Sequence, residues 1–119
     1  MFTGMGDRTT IDLLQGTLGV LILKALSWGP KHGYGIARWI EETSGDDLPI
    51  EEGSLYPALH RLQARGLLTS EWTLSESNRR VKQYTLTEQG RAQLRAERSR
   101  WEDFSASVSR VLEARRPRA

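Results

Sequence analysis

Ser54, Tyr56, His60 and Arg61 fall within one short segment that also carries Leu55, Leu59 and Leu62. The leucines recur at helical spacing, which predicts an amphipathic helix over roughly Ser54 to Arg65, ended by Gly66. With the leucines turned inward, a rotation of about 100° per residue puts Pro57, His60 and Ala64 on the opposite face, flanked by Ser54, Tyr56 and Arg61. That face is small, polar and cationic. A guanidinium can meet guanine O6 and N7 together, and Ser or His can bond base edges or phosphates. A Tyr can reach a phosphate or a thymine methyl. The same residues also suit a plain solvated helix face.

Cations gather again at Arg79, Arg80 and Lys82. They lie in or beside the polar stretch Leu74 to Val81, between two runs of strand character, Leu67 to Thr73 and Lys82 to Leu86. This predicts a hairpin whose tip is positive, suited to phosphates or a narrow minor groove. The alternative is that the charges only keep a hairpin edge from pairing with other chains. From Gly53 to Lys82 there are five basic residues against two acidic ones, so this half is locally positive although the whole chain is only +2. Upstream, Lys31, His32 and Tyr34 stand at the start of a helix expected from Tyr34 to Thr43, where free N–H groups make a phosphate seat. Tyr34 could instead pack against the following helix. The acidic run Glu41, Glu42, Asp46, Asp47, Glu51 and Glu52 opposes a polyanion. It is expected to face away, with Glu51 and Glu52 placed favourably near a helix N-terminus.

Catalysis has little foothold. His32 and His60 lie on different helices without metal-ligand spacing, there is no Gly-rich phosphate loop, and no Ser sits in a nucleophile-elbow pattern. The absence of cysteine excludes disulfides, thiolate zinc and a thiol nucleophile. The expectation is a non-enzyme with no metal and no cofactor. The longest apolar stretch, Leu18 to Leu23, is far short of the roughly 20 residues of a membrane span. Met1 to Thr10 lacks the features of a signal peptide, so a cytoplasmic protein with no membrane partner is expected.

The remaining elements must position these residues. From Ile11 to Trp28, Leu14, Leu18, Leu21, Ile22 and Ala25 follow helical spacing, while Leu13, Val20, Leu23 and Leu26 occupy much of the other side. A helix apolar on both sides needs a second packed element or a partner subunit. Pro57 is expected in or near the first turn of the third helix. After Thr87 a long helix should run to about Ala114, with Leu94, Trp101, Phe104, Val108 and Val111 at coiled-coil spacing, interrupted at Glu97. At 119 residues there is room for one domain and an appended element. The expected fold is mainly α with a small β-hairpin. A winged helix-turn-helix domain at 11–87 would be followed by a dimerisation helix at 88–114, with flexible termini at 1–10 and 115–119. The dimer interface would draw on Leu14, Leu18 and Leu21 with the apolar stripe of the last helix.

Four segments in order make the chain resemble the PadR family of bacterial transcriptional regulators, over about Leu14 to Trp101. They are His32-Gly33-Tyr34-Gly35-Ile36, the run Gly53 to Leu62, Gly66-Leu67, and Arg80 to Gly90. The resemblance implies a homodimer that represses transcription from a roughly palindromic operator in double-stranded DNA, often in response to a small molecule. It implies phosphate contact by Tyr34. It also implies a cavity between the C-terminal helices and the first helix that holds flat aromatic ligands. Trp101 is then either a stacking surface for a planar hydrophobic effector or simply interface core. Two other classes stay open at this point: a winged-helix protein-interaction adaptor that never touches DNA, and a double-stranded RNA binder.

Overall fold

The computed structural model describes residues 17–117. The expected start of the first helix, with Leu13 and Leu14, lies outside them, as do residues 1–10 and 118–119. The described elements are α1 (Leu18–Leu26), β1 (Lys31–His32), α2 (Gly33–Thr43), α3 (Glu52–Ala64), β2 (Leu68–Leu74), β3 (Arg80–Leu86) and α4 (Glu88–Leu112).

α1 is the central element, because its sequence has apolar residues to offer in several directions. Leu18, Ile22, Leu23, Ala25 and Leu26 are all buried, and the helix packs on α2, α3, α4 and β3. Ile36 from α2, Leu55 and Leu59 from α3, and Leu68 from β2 complete a core whose largest members are almost wholly removed from water. Within Leu18–Leu26 much of the two-sided apolar pattern is thus covered by the chain itself, with Val20 and Leu21 left half-buried. Leu18 points into this core and Leu21 packs against it.

The sheet differs from a plain hairpin. β1 adds a third strand, antiparallel to β3 with Lys31 opposite Tyr84 and His32 opposite Gln83, giving the order β1-β3-β2. Two residues are too few to show a strand period in the sequence. The hairpin is also tighter at its end than expected. Leu74, Arg80 and Val81 belong to the strands. The turn is Ser75–Arg79, closed by the Ser75 N–H on the Arg79 carbonyl at 2.8 Å and the Asn78 N–H on the Ser75 carbonyl at 2.9 Å. Asn78 takes the left-handed conformation (φ 67°) that this side chain tolerates better than most.

α3 starts at Glu52, with Glu51 as its N-cap, so Pro57 lies in the second turn and not in the first. The missing Pro57 N–H leaves the Gly53 carbonyl without its helical donor, and Gly53 is exposed, where water can serve instead. Gly66 then ends the segment at φ 78°, with the Leu67 N–H bonded to the Leu62 carbonyl at 3.0 Å.

Thr87 caps α4. Its Oγ1 accepts the Gly90 N–H at 3.0 Å and donates to the Gly66 carbonyl at 2.8 Å, while its own N–H bonds the Leu67 carbonyl at 3.1 Å. Gly90 lies so close to that strand entry that a Cβ would collide with the Leu67 carbonyl oxygen and the Leu86 side chain. α4 ends at Leu112, two residues before the expected Ala114. Its first turns pack on α1 and β3. Beyond Leu94 every residue of the helix except the half-buried Glu97 and Ser105 is exposed, and the molecule is 67 Å in its longest dimension.

An exposed helical Gly→Ala substitution stabilises by about 1 kcal/mol. At Gly90 the collision is with backbone, which cannot rotate away, and overpacking typically costs about 1–3 kcal/mol. Gly90→Ala is therefore expected to lower the urea midpoint at unchanged m-value. A midpoint at or above that of the wild type would show that the junction yields.

Candidate nucleic-acid interface

α2 and α3, joined by residues 44–51, form the helix-turn-helix. His32 is the N-cap of α2: its Nδ1 accepts the Gly35 N–H at 3.1 Å. One of the expected phosphate-seating N–H groups is thus already taken by the chain itself. The Tyr34 ring stacks near His32, centroids 6.3 Å apart and 15° from parallel, and is 67% exposed. Most of the Tyr34 ring is thus open to solvent, although it lines one depression with Glu52, Leu55 and Tyr56 of α3. The residue that does link the two helices is Tyr56, whose hydroxyl would lie 2.6 Å from a Cβ at Gly33. A larger residue at Gly33 would require that ring to shift. Tyr84 lies buried nearby, and burial, with a smaller contribution from Tyr56, raises its phenol above the ordinary value.

The predicted inner face of α3 is buried at Leu55, Leu59 and Leu62, together with Ala58. Tyr56, Pro57, His60, Arg61 and Ala64 are exposed, and Ser54 is half-buried. Gly53, Ser54, Pro57 and Arg61 border a depression of about 400 Å³ whose floor includes Leu18. Among the described residues no ion pair neutralises Arg61, Arg65, Arg79, Arg80 or Lys82. The acids of the turn region are occupied differently. Arg38 meets Glu41 at 3.6 Å and Glu42 at 2.7 Å, and Glu41 also accepts the Ile50 N–H at 2.9 Å. Glu51 and Glu52 sit at the N-terminus of α3, as expected, where the helix dipole favours them.

Strand alternation sorts the wing. Leu86 and Tyr84 are buried against the helices, so Lys82 and Arg80, two and four residues before Tyr84, leave the sheet from that same face. Across from this row stand Leu68, Ser70, Trp72 and Leu74. Glu71 and Gln83 occupy the other face. Arg79 belongs to the turn, where its N–H bonds Ser75 Oγ at 3.2 Å. Ser70 Oγ donates to Gln63 Oε1 at 3.0 Å and so ties the wing's base to the end of α3. Trp72, absent from the sequence-based candidates, has the Arg80 guanidinium carbon 4.7 Å and the Lys82 Nζ 5.6 Å from its ring centroid. Its place opposite Lys82 could have been found by continuing the period-2 pattern along β2, but its polar neighbours mask the signal.

On α4, Leu94 packs against the domain's own core. Trp101, Phe104, Val108 and Val111 are exposed, and Leu112 extends their stripe. The Trp101 and Phe104 rings lie 6.4 Å apart, tilted by 41°. Glu97 interrupts the stripe and accepts a hydrogen bond from Gln93 Nε2 at 2.7 Å. Among the described residues no group of three His, Cys, Asp or Glu could hold a metal ion, and no helix is long and apolar enough to cross a membrane.

Residues 22–96 match the family described as transcriptional regulator PadR-like. A PadR family transcriptional regulator from Eggerthella lenta superposes with a TM-score of 0.77 at 33% identity, covering 90% of this chain and 91% of that one. A PadR-like transcriptional regulator from Bacillus cereus does so with a TM-score of 0.74 at 27% identity, covering 87% and 99%. A transcriptional regulator of Mycobacterium tuberculosis is 40% identical over 72 residues, 59% of this chain and 65% of its own length. The negative transcriptional regulator PadR of Bacillus subtilis is 32% identical over 73 residues, 61% of this chain and 40% of its own. These two curated relatives are thus matched over less than two-thirds of their length, whereas the structural neighbours are matched almost throughout. With a family match over most of the chain, and relatives that are regulators and not enzymes, this protein belongs to the PadR-like family of transcriptional regulators.

Proposed function

We propose that the protein is a cytoplasmic, sequence-specific DNA-binding repressor that acts as a homodimer on a palindromic operator. The observation that carries this reading is the placement of uncompensated cations. Arg61 on α3 and Arg80 and Lys82 on the wing are all exposed, without an ion-pair partner among the described residues, and carried by elements tied together at Ser70 and Gln63. An α-helix with a small polar face fits the major groove, and a cationic hairpin beside it fits the flanking phosphates. In this reading Arg61, His60 and Ser54 face bases or phosphates, Pro57 and Tyr56 shape the approach, and Tyr34 meets a phosphate at the start of α2. Residues 11–87 are the reading unit and 88–114 the dimerisation element.

The dimer rests on a different feature. Trp101 is 50% exposed, Phe104 63% and Val111 74%, on one side of a helix that the domain does not cover. A run of aromatic and aliphatic surface of this kind calls for a partner, and a second copy offers the same stripe. Leu21 and the Leu14 position would border it, while Leu18 stays in the core. Two reading helices must lie about 34–36 Å apart to enter successive major grooves, and crossing α4 helices can set that distance. A planar hydrophobic effector stacking on Trp101 would then shift the dimer between spacings, by no more than its difference in affinity for them.

Arg61→Ala is expected to weaken specific binding by about 1–3 kcal/mol and to relax preference at one position per half-site, as read by selection from random duplexes. Equal loss on specific and random DNA would make Arg61 a phosphate anchor. Replacing Arg79, Arg80 and Lys82 together with Ala should weaken binding on all sequences and flatten log K against log salt by about 0.9 for each phosphate no longer neutralised. An unchanged slope removes the wing from the interface. Phe104→Asp with Val108→Asp should sediment as a monomer, and a dimer would misplace the interface. A ligand that quenches Trp101 should do so unequally with and without operator, and equal quenching at unaltered operator affinity would exclude the coupling.

A further inference from the structure

Trp72 is 57% exposed and takes no part in the core cluster, although tryptophan is the largest apolar residue the chain has to bury. Its position is on the outer half of β2, directly opposite Lys82 and one step along the same face from the pair Leu74–Arg80. All four side chains leave the wing from the face that, further in, carries Tyr84 and Leu86. A guanidinium at 4.7 Å and an ammonium at 5.6 Å from the same ring centroid both lie within the roughly 6 Å over which the negative face of an indole attracts a cation. We propose that Trp72 is a positioning residue of the wing: it holds Arg80 and Lys82 as a pre-formed pair of cations for the backbone phosphates of duplex DNA. This rests on the DNA-binding reading above and adds to it a residue and a mechanism.

Two physical points support the assignment. Arg80 and Lys82 are two residues apart on one face of a strand, so their like charges repel and, left alone, their long side chains would spread into water. A shared aromatic ring attracts both cations against that repulsion and removes rotamer freedom before any ligand arrives, and side chains ordered in advance lose less on binding. Arg79 has no such aromatic partner among the described residues. It sits in the turn, and strand alternation gives it no place on the cationic face. The three wing cations are therefore unequal: Arg80 and Lys82 form the clamp, and Arg79 adds only charge.

The test is a double-mutant cycle on the full chain with a mixed-sequence DNA duplex as probe, read by fluorescence anisotropy at low salt. Trp72→Leu should weaken binding about three- to tenfold, Trp72→Phe should restore most of it, and Trp72→Leu should have no further effect once Arg80→Gln and Lys82→Gln are present. If the Gln pair weakens binding but Trp72→Leu does not, the wing reading stands and the positioning role falls. Should the Gln pair bind like the wild type, the wing reading fails and takes this inference with it. A Trp72→Leu loss that persists in the Gln background would mean that the indole touches DNA itself, which also overturns the positioning role. If Trp72→Leu does not fold, the wild type still decides. The Arg80 Cδ and Lys82 Cε protons should show upfield ring-current shifts in the free protein, and their absence would sink the proposal.

Discussion

The approach of Gly90 to the Leu67 carbonyl is the contact on which the rest of the architecture depends. Four elements meet there: the end of α3 at Gly66, the entry to β2 at Leu67, the exit of β3 at Leu86 and the first turn of α4. Thr87 bonds the Gly66 carbonyl, the Leu67 carbonyl and the Gly90 N–H from a single residue. The helix that presents the candidate reading face, the wing and the projecting arm are thus joined through the close backbone approach of Gly90 and through one short side chain, Thr87, that bonds backbone groups on both sides. A small domain has few ways to make such a joint, and a glycine at the point of contact is the simplest.

Charge is partitioned around this frame in a way that composition hides. The net value of +2 gives no sign of a polyanion partner. Four of the six acids of the turn region are drawn into local work: Glu41 and Glu42 hold Arg38, Glu41 also ties down Ile50, and Glu51 and Glu52 meet the positive end of α3, while Asp46 and Asp47 stay exposed. The bases of α3 and the wing have no such partners among the described residues. What distinguishes Glu41 and Glu42 from these bases is that the fold has already paired them, and unpaired charge is what is available to a ligand.

Much of this is legible in the sequence because period and capping are local signals. Leu55, Leu59 and Leu62 announce the inner face of α3, and Thr87 with Gly90 announces the start of α4. What the sequence hides is non-local. β1 is a strand only because β3 lies beside it, and two residues carry no period of their own. α3 begins two residues earlier than its leucine pattern predicts, since Glu52 and Gly53 carry no apolar side chain to register in that pattern and Gly53 is itself a poor helix former. Trp72 escapes a sequence reading because its meaning depends on cations that reach it from another strand. The site residues themselves are found by type and spacing, yet their relative importance emerges only from which face of the sheet each one occupies.

The same joint bears on how a distant event at α4 would reach the reading helix. α4 is 25 residues long, about 37 Å, and is held by its first turns alone. Over an arm of that length a tilt of roughly 5° moves the far end by about 3 Å, so small changes in how two arms pack translate into large changes in where the domains sit. A compliant junction would absorb such a tilt locally. Here Gly90 lies against a backbone carbonyl, and bending the joint means driving Gly90 into that carbonyl or breaking the three hydrogen bonds of Thr87, two through its hydroxyl and one through its N–H. The domain must therefore move as a rigid body with its arm. In a homodimer that makes the spacing of the two α3 helices a direct function of how the α4 helices cross, with no separate relay through the core.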